Sequence, residues 1–359
     1  MKKVVSFSGG RTSAYLCKVM IDKFGRENVD FVYMDTGAEH PKTYEFIRNV
    51  NKHFDLNLTC LRGDFSMPLG KGVGYNIVSI DDIGTDLAPF KGMMSKYGVP
   101  YIGGAFCTDR MKLKPYKKYC DDTYGPKNYE TWLGIRSDEP KRYLGEKVVK
   151  YFNDQEDQDL DCDAFAKLFK AMVENDGDPR GKVDIFDGYW PEPSDFDKSR
   201  FFNEWQKAVD IIVDAYENKT KGNLHYMVEI SGFEKRDVLE FWSEMPFDLE
   251  IEEQLGNCVF CPKKSNLKLA AAQRDEPELY HDFLEMLYSD DVRHDDKTGH
   301  WSQMYRGKRS LEQVVAMFDV STGDEIKSRI RGAKMTDTGS CSESCEVFVC
   351  ESNQVDMFK

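Results

Sequence analysis

A serine- and glycine-rich stretch near the amino terminus has the residue types that hold phosphate. It reads SFSGGRTSAYL over residues 6–16 and joins a β-branched segment to a helical pattern. Glycines let the backbone approach an anion, the next helix adds the positive end of its dipole, and hydroxyl groups add donors. The spacing is neither GxxxxGKS/T nor GxGxxG. We expect nucleotide phosphates to be held by Ser6, Ser8, Gly9, Gly10, Arg11, Thr12 and Ser13.

Two cysteines late in the chain have the spacing of a metal-binding or redox motif. Cys258 and Cys261 form a CxxC within GNCVFCPKK, a loop short enough for both thiolates to reach one metal. Ten cysteines in 359 residues are too few for a disulfide scaffold. In a reducing cytosol such thiols bind metal, take part in catalysis or are simply buried.

The composition is that of an acidic globular protein, with a net charge of −14 and a pI near 5.0. Such a chain has no general attraction to nucleic acid, so binding there would need a local basic patch or a partner protein. No segment approaches the ~18 apolar residues that span a bilayer. The amino-terminal apolar run is also too short for a secretory signal. We therefore expect a cytoplasmic protein without a membrane partner.

Strands and helices alternate along the first part of the chain. KKVVSFS, DFVYMDTG and LNLTCLRG have strand patterns, whereas TSAYLCKVMIDKFG and PKTYEFIRNVNKHFD have helical ones. Pro41 opens the second helix, a position where proline is favoured. The alternation predicts an α/β doubly wound parallel sheet with right-handed crossovers. SFSGG and MDTG would then lie at carboxyl ends of strands, where such sheets bind ligands.

Changes in composition divide the chain into four predicted segments. Residues 1–149 form the nucleotide-binding core, and residues 150–222 form an acidic helical insertion, either a solvated lobe or a lid or docking surface. Residues 223–331 complete the core with the CxxC loop and further helices. Residues 332–359 are polar and cysteine-containing, which predicts a mobile tail.

Five motifs in this order resemble one known superfamily. SFSGGRTSAYL resembles the PP-loop of the adenine nucleotide α-hydrolases, which typically cleave ATP between the α and β phosphates. YMDTGAEHPKTYEF, CTDRMKLKPY, LGIRSDEPKR and GNCVFC resemble its phosphoadenosine-phosphosulfate (PAPS) reductase-like branch. The resemblance covers roughly residues 1–145 and 225–290, and it implies the superfamily's fold and a nucleotide site.

The resemblance implies roles for residues outside the loop. Asp35, Thr36 and Gly37 would face the nucleotide, with Asp35 on the Mg²⁺ side or at the ribose. Guanidinium groups suit a second phosphate or a developing negative charge. The basic residues that the resemblance implies at the mouth of the nucleotide site are Arg110, Lys112, Arg136 and Arg142.

Two features of the loop bear on the choice of nucleotide. Many ATP-cleaving relatives carry an acidic residue where Thr12 stands, so the motif leaves the Mg²⁺ ligands open. Dedicated PAPS reductases tend to lose the intact SGG, which this chain keeps at residues 8–10. The resemblance therefore favours ATP with Mg²⁺ over a sulfonucleotide.

The resemblance also implies a metal centre. Relatives that hold an iron–sulfur cluster often show two adjacent cysteines in the basic turn, where this chain has only Cys107. Cys107 would be the third ligand beside Cys258 and Cys261, with Cys120, a tail cysteine or no protein group in the fourth place. A 4Fe–4S cluster with one open iron that can hold hydrosulfide is one alternative, and zinc held by three or four cysteines is another. The third is that the trio binds no metal.

The tail offers two further predictions. Cys341, Cys345 and Cys350 differ from the Glu-Cys-Gly motif of the reductases, yet Cys345 is a candidate to relay a persulfide or electrons. The alternative is a disordered tail with incidental cysteines. Gln354–Phe358 resembles the peptide by which bacterial DNA enzymes bind the sliding clamp. That contact would place the protein at replicating DNA.

Three functions are consistent with these features. The first is ATP-dependent adenylation of an acceptor, DNA or tRNA among the candidates, followed by sulfur transfer from a cluster, a persulfide or a donor protein. The second is reduction of PAPS or adenosine phosphosulfate by a thiol. The third is a nucleotide-binding partner protein without catalysis, favoured by Thr12 and by the acidic insertion.

Overall fold

A six-stranded sheet lies at the centre of the computed structural model, which describes residues 1–100, 106–145, 149, 162–174, 223–293 and 309–333. The strand order is β4-β3-β2-β1-β5-β6, and every neighbouring pair is parallel except β3 with β4. The strands are β1 Lys2–Phe7, β2 Val29–Met34, β3 Thr59–Asp64, β4 Gly74–Val78, β5 Tyr129–Leu133 and β6 Leu224–Tyr226.

Helices connect the strands and follow the last of them. Those of the first part are α1 Arg11–Phe24, α2 Pro41–His53, α3 Ala88–Tyr97, a π-helical stretch Thr108–Leu113, α4 Lys114–Tyr124 and α5 Pro140–Tyr143. The later ones are α6 Cys162–Glu174, α7 Lys235–Ser243, α8 Asn266–Asp275, α9 Pro277–Leu287, α10 Leu311–Ala316 and α11 Gly323–Ala333. None of these helices is long and apolar enough to cross a membrane.

Both faces of the sheet are covered, because alternate residues of β1 enter different apolar clusters. Val5 and Phe7 pack with α1, α2 and α7, whereas Val4 packs with Tyr116 and Cys120 of α4. This arrangement confirms the predicted doubly wound fold. It also places β1 between β2 and β5, so that the chain leaves β1 toward one side and reaches β5 on the other. The crevice at such a switch point binds ligands in open α/β sheets.

The antiparallel edge strand β4 has no counterpart among the sequence-based predictions. Its burial is mixed, and Ile77 is 63% exposed, so GYNIV lacks the hydrophobic pattern of a core strand. An edge strand pairs on one side only and needs fewer buried side chains.

The segment after the predicted insertion returns to the sheet, because β6 pairs with β5 through Thr131 and Leu224. Within residues 150–222 the described part is α6, whose Phe169 ring lies 5.1 Å from that of Tyr143. The four-segment division stays a prediction. Cys345 and Gln354–Phe358 lie outside the described residues.

Candidate nucleotide and sulfur site

The PP-loop leaves β1 and enters α1 at residues 8–13. Gly10 caps α1 without a side-chain hydrogen bond, so the first N–H groups of the helix remain available to a ligand. Ser13 Oγ accepts the backbone N–H of Ser8 at 3.1 Å and lies 2.8 Å from Ser8 Oγ. Ser13 is fully buried and Ser6 is 8% exposed, so these two serines shape the loop from within.

Arg11 anchors the loop to the segment after α7. Its guanidinium donates to Asp248 at 2.7 and 2.9 Å and also to the carbonyl of Leu249. Trp242 Nε1 donates to the Arg11 carbonyl at 3.0 Å. Arg11 lines the cavity, but these contacts make it a positioning residue rather than a free phosphate ligand.

Gly9 makes a testable prediction. Its φ is +82°, and a Cβ there would lie 2.9 Å from Ile47 Cδ1 and 3.3 Å from Thr43 Cγ2. We expect Gly9→Ala to lower the free energy of unfolding by about 1–2 kcal/mol. Because the loop must shift, ATP binding measured by calorimetry should weaken at least tenfold. Gly84→Ala is the control, since nothing lies within 4 Å of its Cβ position. Equal effects of the two variants would contradict this account.

Asp35 follows β2 and is fully buried. Its oxygens accept the Gly37 N–H at 2.9 Å, the Tyr44 hydroxyl at 2.9 Å and Arg62 Nε at 2.7 Å. Burial, and next the Glu39 carboxylate, raises the pKa of Asp35 to about 6, although Arg62 opposes the shift. With its oxygens taken by protein donors, Asp35 holds the turn at Thr36 and Gly37. A direct contact with Mg²⁺ or ribose stays a prediction.

Glu39 is a site residue that the sequence analysis did not single out. It is 1% exposed, and its Oε2 accepts the hydroxyls of Thr36 at 2.6 Å and Tyr44 at 2.9 Å. Its Oε1 lies 3.5 Å from Lys112 Nζ and 3.8 Å from Cys258 Sγ. The sequence signal that could have identified Glu39 is the acidic residue at the end of DTGAE. The structure makes Glu39 the link between the PP-loop cavity, which it lines, and the CxxC loop.

The CxxC loop packs directly on the turn after β2. Glu39 and Cys258 form an antiparallel β-bridge, and Val259 N–H donates to the Ala38 carbonyl at 3.0 Å. Thr36 Oγ1 lies 3.5 Å from Cys258 Sγ. Burial, and next Glu39, raises the pKa of the Cys258 thiol. The buried ammonium of Lys264 donates to the Val259 carbonyl at 2.9 Å and so holds the loop.

The other candidate metal ligands differ in their placement. Cys107 is 8% exposed in an apolar cluster against which Cys258 also packs. Cys120 belongs to the separate cluster between α4 and the sheet, where burial raises the pKa of its thiol to about 12. The structure therefore does not bring Cys120 together with the other three, and its position there indicates a packing role.

The spacing of the thiols bears on the kind of metal. Tetrahedral zinc with Zn–S bonds of about 2.3 Å holds its sulfurs about 3.8 Å apart. Within the described ranges, the sulfur atoms of Cys107, Cys258 and Cys261 do not all lie within 4.8 Å of one another. The ligand atoms of three exposed residues on α9, His281, Asp282 and Glu285, do. The described residues thus show no preformed tetrahedral site at the three thiols, and an iron–sulfur cluster or zinc there stays a prediction.

Arg136 follows β5 and reaches the PP-loop across the switch point. Its Nη1 donates to Thr12 Oγ1 at 3.1 Å, and its Nε donates to Asp138 at 2.7 Å. The threonine at the usual acidic position thus accepts a hydrogen bond from a guanidinium. Arg142 pairs with Glu139 at 2.6 Å, and Glu139 accepts the Arg136 backbone N–H. The structure places both arginines near the loop, with Arg136 in direct contact.

Arg110 is directed elsewhere. Its guanidinium pairs with Asp109 at 2.8 Å and lies 5.0 Å from the centre of the Tyr97 ring. Lys112, by contrast, is buried beside Glu39. The π-helical turn directs these neighbouring side chains differently: Lys112 lies beside Glu39, which lines the PP-loop cavity, and Arg110 lies beside Tyr97. A role for either residue at the nucleotide stays a prediction.

A cavity of about 220 Å³ lies over the PP-loop. Ser8, Gly9, Gly10 and Arg11 form one wall, and Glu39 with Glu252 and Glu253 lies on the others. Each of the three carboxylates has a protein cation beside it: Lys112 lies 3.5 Å from Glu39, Lys327 lies 3.0 Å from Glu252 and Lys268 lies 2.9 Å from Glu253. A Mg²⁺–nucleotide complex in this cavity stays a prediction.

Comparison with known proteins agrees with this geometry. Residues 2–67 match the family model of the phosphoadenosine phosphosulfate reductase domain, which spans β1, the PP-loop and the turn that holds Asp35. The chain belongs to the PAPS reductase-like branch of the adenine nucleotide α-hydrolase superfamily. The matched residues include the PP-loop and the turn after β2, whereas the Arg136 segment lies outside them.

Relatives of this family member occur in a phage and an archaeon. The uncharacterized nin region protein ORF290 of Escherichia phage lambda is 39% identical over 352 residues, which cover 97% of this chain and 96% of the lambda protein. An uncharacterized protein of Methanocaldococcus jannaschii is 25% identical over 133 residues, 37% of this chain and 22% of its own length. The similarity to the lambda protein thus extends over the CxxC loop and the helices after it.

Proposed function

We propose that the protein binds ATP with Mg²⁺, cleaves it between the α and β phosphates, and supports sulfur transfer to the adenylated acceptor. An acceptor oxygen attacks the α-phosphorus and pyrophosphate leaves. A sulfur nucleophile then attacks the activated carbon, and AMP departs with the oxygen. Adenylation is useful because it converts a poor oxygen leaving group into a good one.

The observation that carries this proposal is the β-bridge between Glu39 and Cys258. It fixes a CxxC loop against the wall of a phosphate-binding cavity, and the carboxylate of Glu39 contacts both. A structural thiol pair has no need to lie beside a nucleotide. A pair that delivers sulfur or electrons to an activated substrate does.

Each half of the site has its own task in this proposal. The N–H groups at the start of α1 and the Arg136 guanidinium would stabilise charge on the phosphates. Such a donor contributes about 10²–10³ to the rate when it acts in the transition state. Glu252 and Glu253 would supply carboxylate oxygens to Mg²⁺ on the opposite wall, whereas the oxygens of Glu39 already face protein donors.

Cys107, Cys258 and Cys261 would hold the metal centre. An iron–sulfur cluster there would supply sulfur or electrons beside the nucleotide. The residues fit this group in two respects: Cys107 and Cys258 belong to or pack against one apolar cluster, with Cys261 three positions after Cys258, and Lys112 and Lys264 bring positive charge to the loop. The cluster's overall negative charge would be partly balanced by these ammonium groups.

Reduction of PAPS or adenosine phosphosulfate is the second candidate, favoured by the family model that matches residues 2–67. Anaerobically purified protein given ATP and a nucleic-acid acceptor should release pyrophosphate and then AMP, and Arg136→Met should slow pyrophosphate release at least 10²-fold. The control Lys91→Gln removes an exposed charge on α3. Sulfite release from PAPS with a thiol donor, without ATP cleavage, would favour the reductase. Bound nucleotide without either reaction would leave a nucleotide-binding partner protein.

Nucleic acid is the proposed acceptor, and Gln354–Phe358 would bring the enzyme to it through the sliding clamp. A peptide of this kind binds by its own side chains, so removal of residues 354–359 should abolish clamp binding in a pull-down while ATP cleavage stays unchanged. Clamp binding that survives the deletion would contradict this part of the proposal.

A further inference from the structure

A second and larger cavity lies farther along the same edge of the sheet. Its volume is about 630 Å³, within the range of small-molecule sites. The end of β3, the residues that follow it, β4 and α3 form its walls. It shares no lining residue with the PP-loop cavity, so the nucleotide held there does not account for it.

The cations that this second cavity can offer to a ligand are Lys96 and Arg293, because its third basic residue, Arg62, is paired with Asp35 and Asp86. Arg62, Lys96 and Arg293 line it, against one carboxylate from Asp64, in a protein of net charge −14. These cations are held in place: Lys96 Nζ donates to the Gly72 carbonyl at 2.7 Å, and Arg293 Nη1 donates to the Lys96 carbonyl at 3.2 Å. Fixed cations in a concave surface favour an anionic ligand.

The remaining wall includes apolar side chains. The Phe65 ring lies close to two glycines, since a Cβ at Gly63 would lie 2.8 Å from Phe65 Cζ and one at Gly92 would lie 3.2 Å from Phe65 Cδ2. Phe65, Met67 and Val78 all line the cavity. An aromatic ring in a cavity wall can stack on a base, and base–aromatic stacking is a common means of binding single-stranded nucleic acid.

Arg62 connects the second cavity to the turn after β2. It lines the cavity while its Nε donates to Asp35 Oδ2 at 2.7 Å and its Nη2 lies 2.9 Å from Asp86 Oδ2. Asp35 in turn orders Gly37 and Tyr44 at the nucleotide site. A ligand in the second cavity would therefore lie one side chain away from the elements that hold ATP.

We propose that the second cavity binds one nucleotide unit, with its base on the Phe65 wall and its phosphate near Lys96 and Arg293. The inference rests on the proposed function in one respect: it makes this unit part of the nucleic-acid acceptor. A free nucleotide has the same chemistry, and the experiment below separates the two sources.

The test uses the full-length protein and a fluorescein-labelled single strand of about 12 nucleotides, as DNA and as RNA, with binding followed by anisotropy. Met67→Glu places a negative charge on the apolar wall and should weaken binding at least tenfold, about 1.4 kcal/mol. Leu239→Glu is the matched control, because Leu239 is an exposed apolar residue on α7 outside the cavity. It should change binding less than twofold.

Each outcome decides a separate point. Two results would overturn the proposal. One is equal weakening of strand binding by both variants. The other is a wild type that binds no strand and whose AMP binding, if any, is unchanged by Met67→Glu. AMP binding that Met67→Glu abolishes, without strand binding, would assign the cavity to a free nucleotide. ATP binding at the PP-loop, measured in parallel, should be unchanged in Met67→Glu. If ATP is not cleaved while the strand result holds, the proposed function fails and the second cavity stands.

Discussion

Replacement of Cys258 with alanine is expected to remove the bound metal and labile sulfide while ATP is still cleaved. Cys258 Sγ lies 3.5 Å from Thr36 Oγ1 and 3.8 Å from Glu39 Oε1. The groups proposed to act on the phosphates are Arg136 and the start of α1. Loss of one thiolate should therefore disable the sulfur half of the site alone.

The measurement is iron, zinc and labile sulfide per chain after anaerobic purification, beside pyrophosphate released from ATP in a single turnover, because AMP leaves only after the sulfur step. We expect Cys258→Ala to lower the metal content at least tenfold and pyrophosphate release less than threefold. Cys120→Ala loses the same atoms from a fully buried position and should keep the metal, with a stability cost of about 1 kcal/mol. Metal retained in Cys258→Ala would contradict the proposed centre. Metal lost in Cys120→Ala would restore Cys120 as a ligand.

Arg62→Met is expected to lower the free energy of unfolding by about 3 kcal/mol at pH 8. Asp35 is fully buried, and Arg62 supplies its cation at 2.7 Å. Breaking a buried ion pair costs about 3–5 kcal/mol, and the lower end applies because the Arg62 side chain is 17% exposed.

The loss should depend on pH. The pKa of Asp35 is raised from 3.8 to about 6 in the folded protein, so the folded state binds a proton more tightly than the unfolded chain does. Its contribution to stability is present below pH ~4 and is lost as the pH rises through ~6. Without Arg62 the pKa rises further, since Arg62 lowers it. At pH 5 Asp35 is largely protonated and needs no cation, so the variant should differ much less from the wild type.

Urea unfolding at pH 5 and pH 8 measures this difference. Asp86→Asn is the control, because Asp86 is the exposed partner of Arg62, at 44% exposure, and such pairs contribute about 0.5 kcal/mol or less. A loss for Arg62→Met that is equal at both pH values would show that Arg62 stabilises the fold by packing rather than through the Asp35 charge.

Local patterns were sufficient to predict the framework of this protein. The strand patterns at KKVVSFS and DFVYMDTG reflect interactions between residues near in sequence. The same is true of the end of α1 at Gly25 and the start of α2 at Pro41. Parallel strands with crossover helices then place SFSGG and MDTG at one edge, because only one hand of crossover is favourable. The position of the nucleotide site follows from that rule.

The partners of those motifs depended on contacts between residues far apart in the chain. Glu39 meets Cys258 across 219 positions and Arg11 meets Asp248 across 237. Asp35 was predicted at the nucleotide, yet the folded chain surrounds it with Tyr44, Gly37 and Arg62.

Arg110 and Cys120 were predicted at the site, but the folded chain places them elsewhere. Both carry residue types suited to the site, but a π-helical turn directs Arg110 to Tyr97, and helical periodicity carries Cys120 to the sheet-facing side of α4. The sequence by itself determined which residue types stand at the ends of the strands. Only the tertiary structure decided which of them share one cavity, because a side chain's neighbours are set by long-range packing.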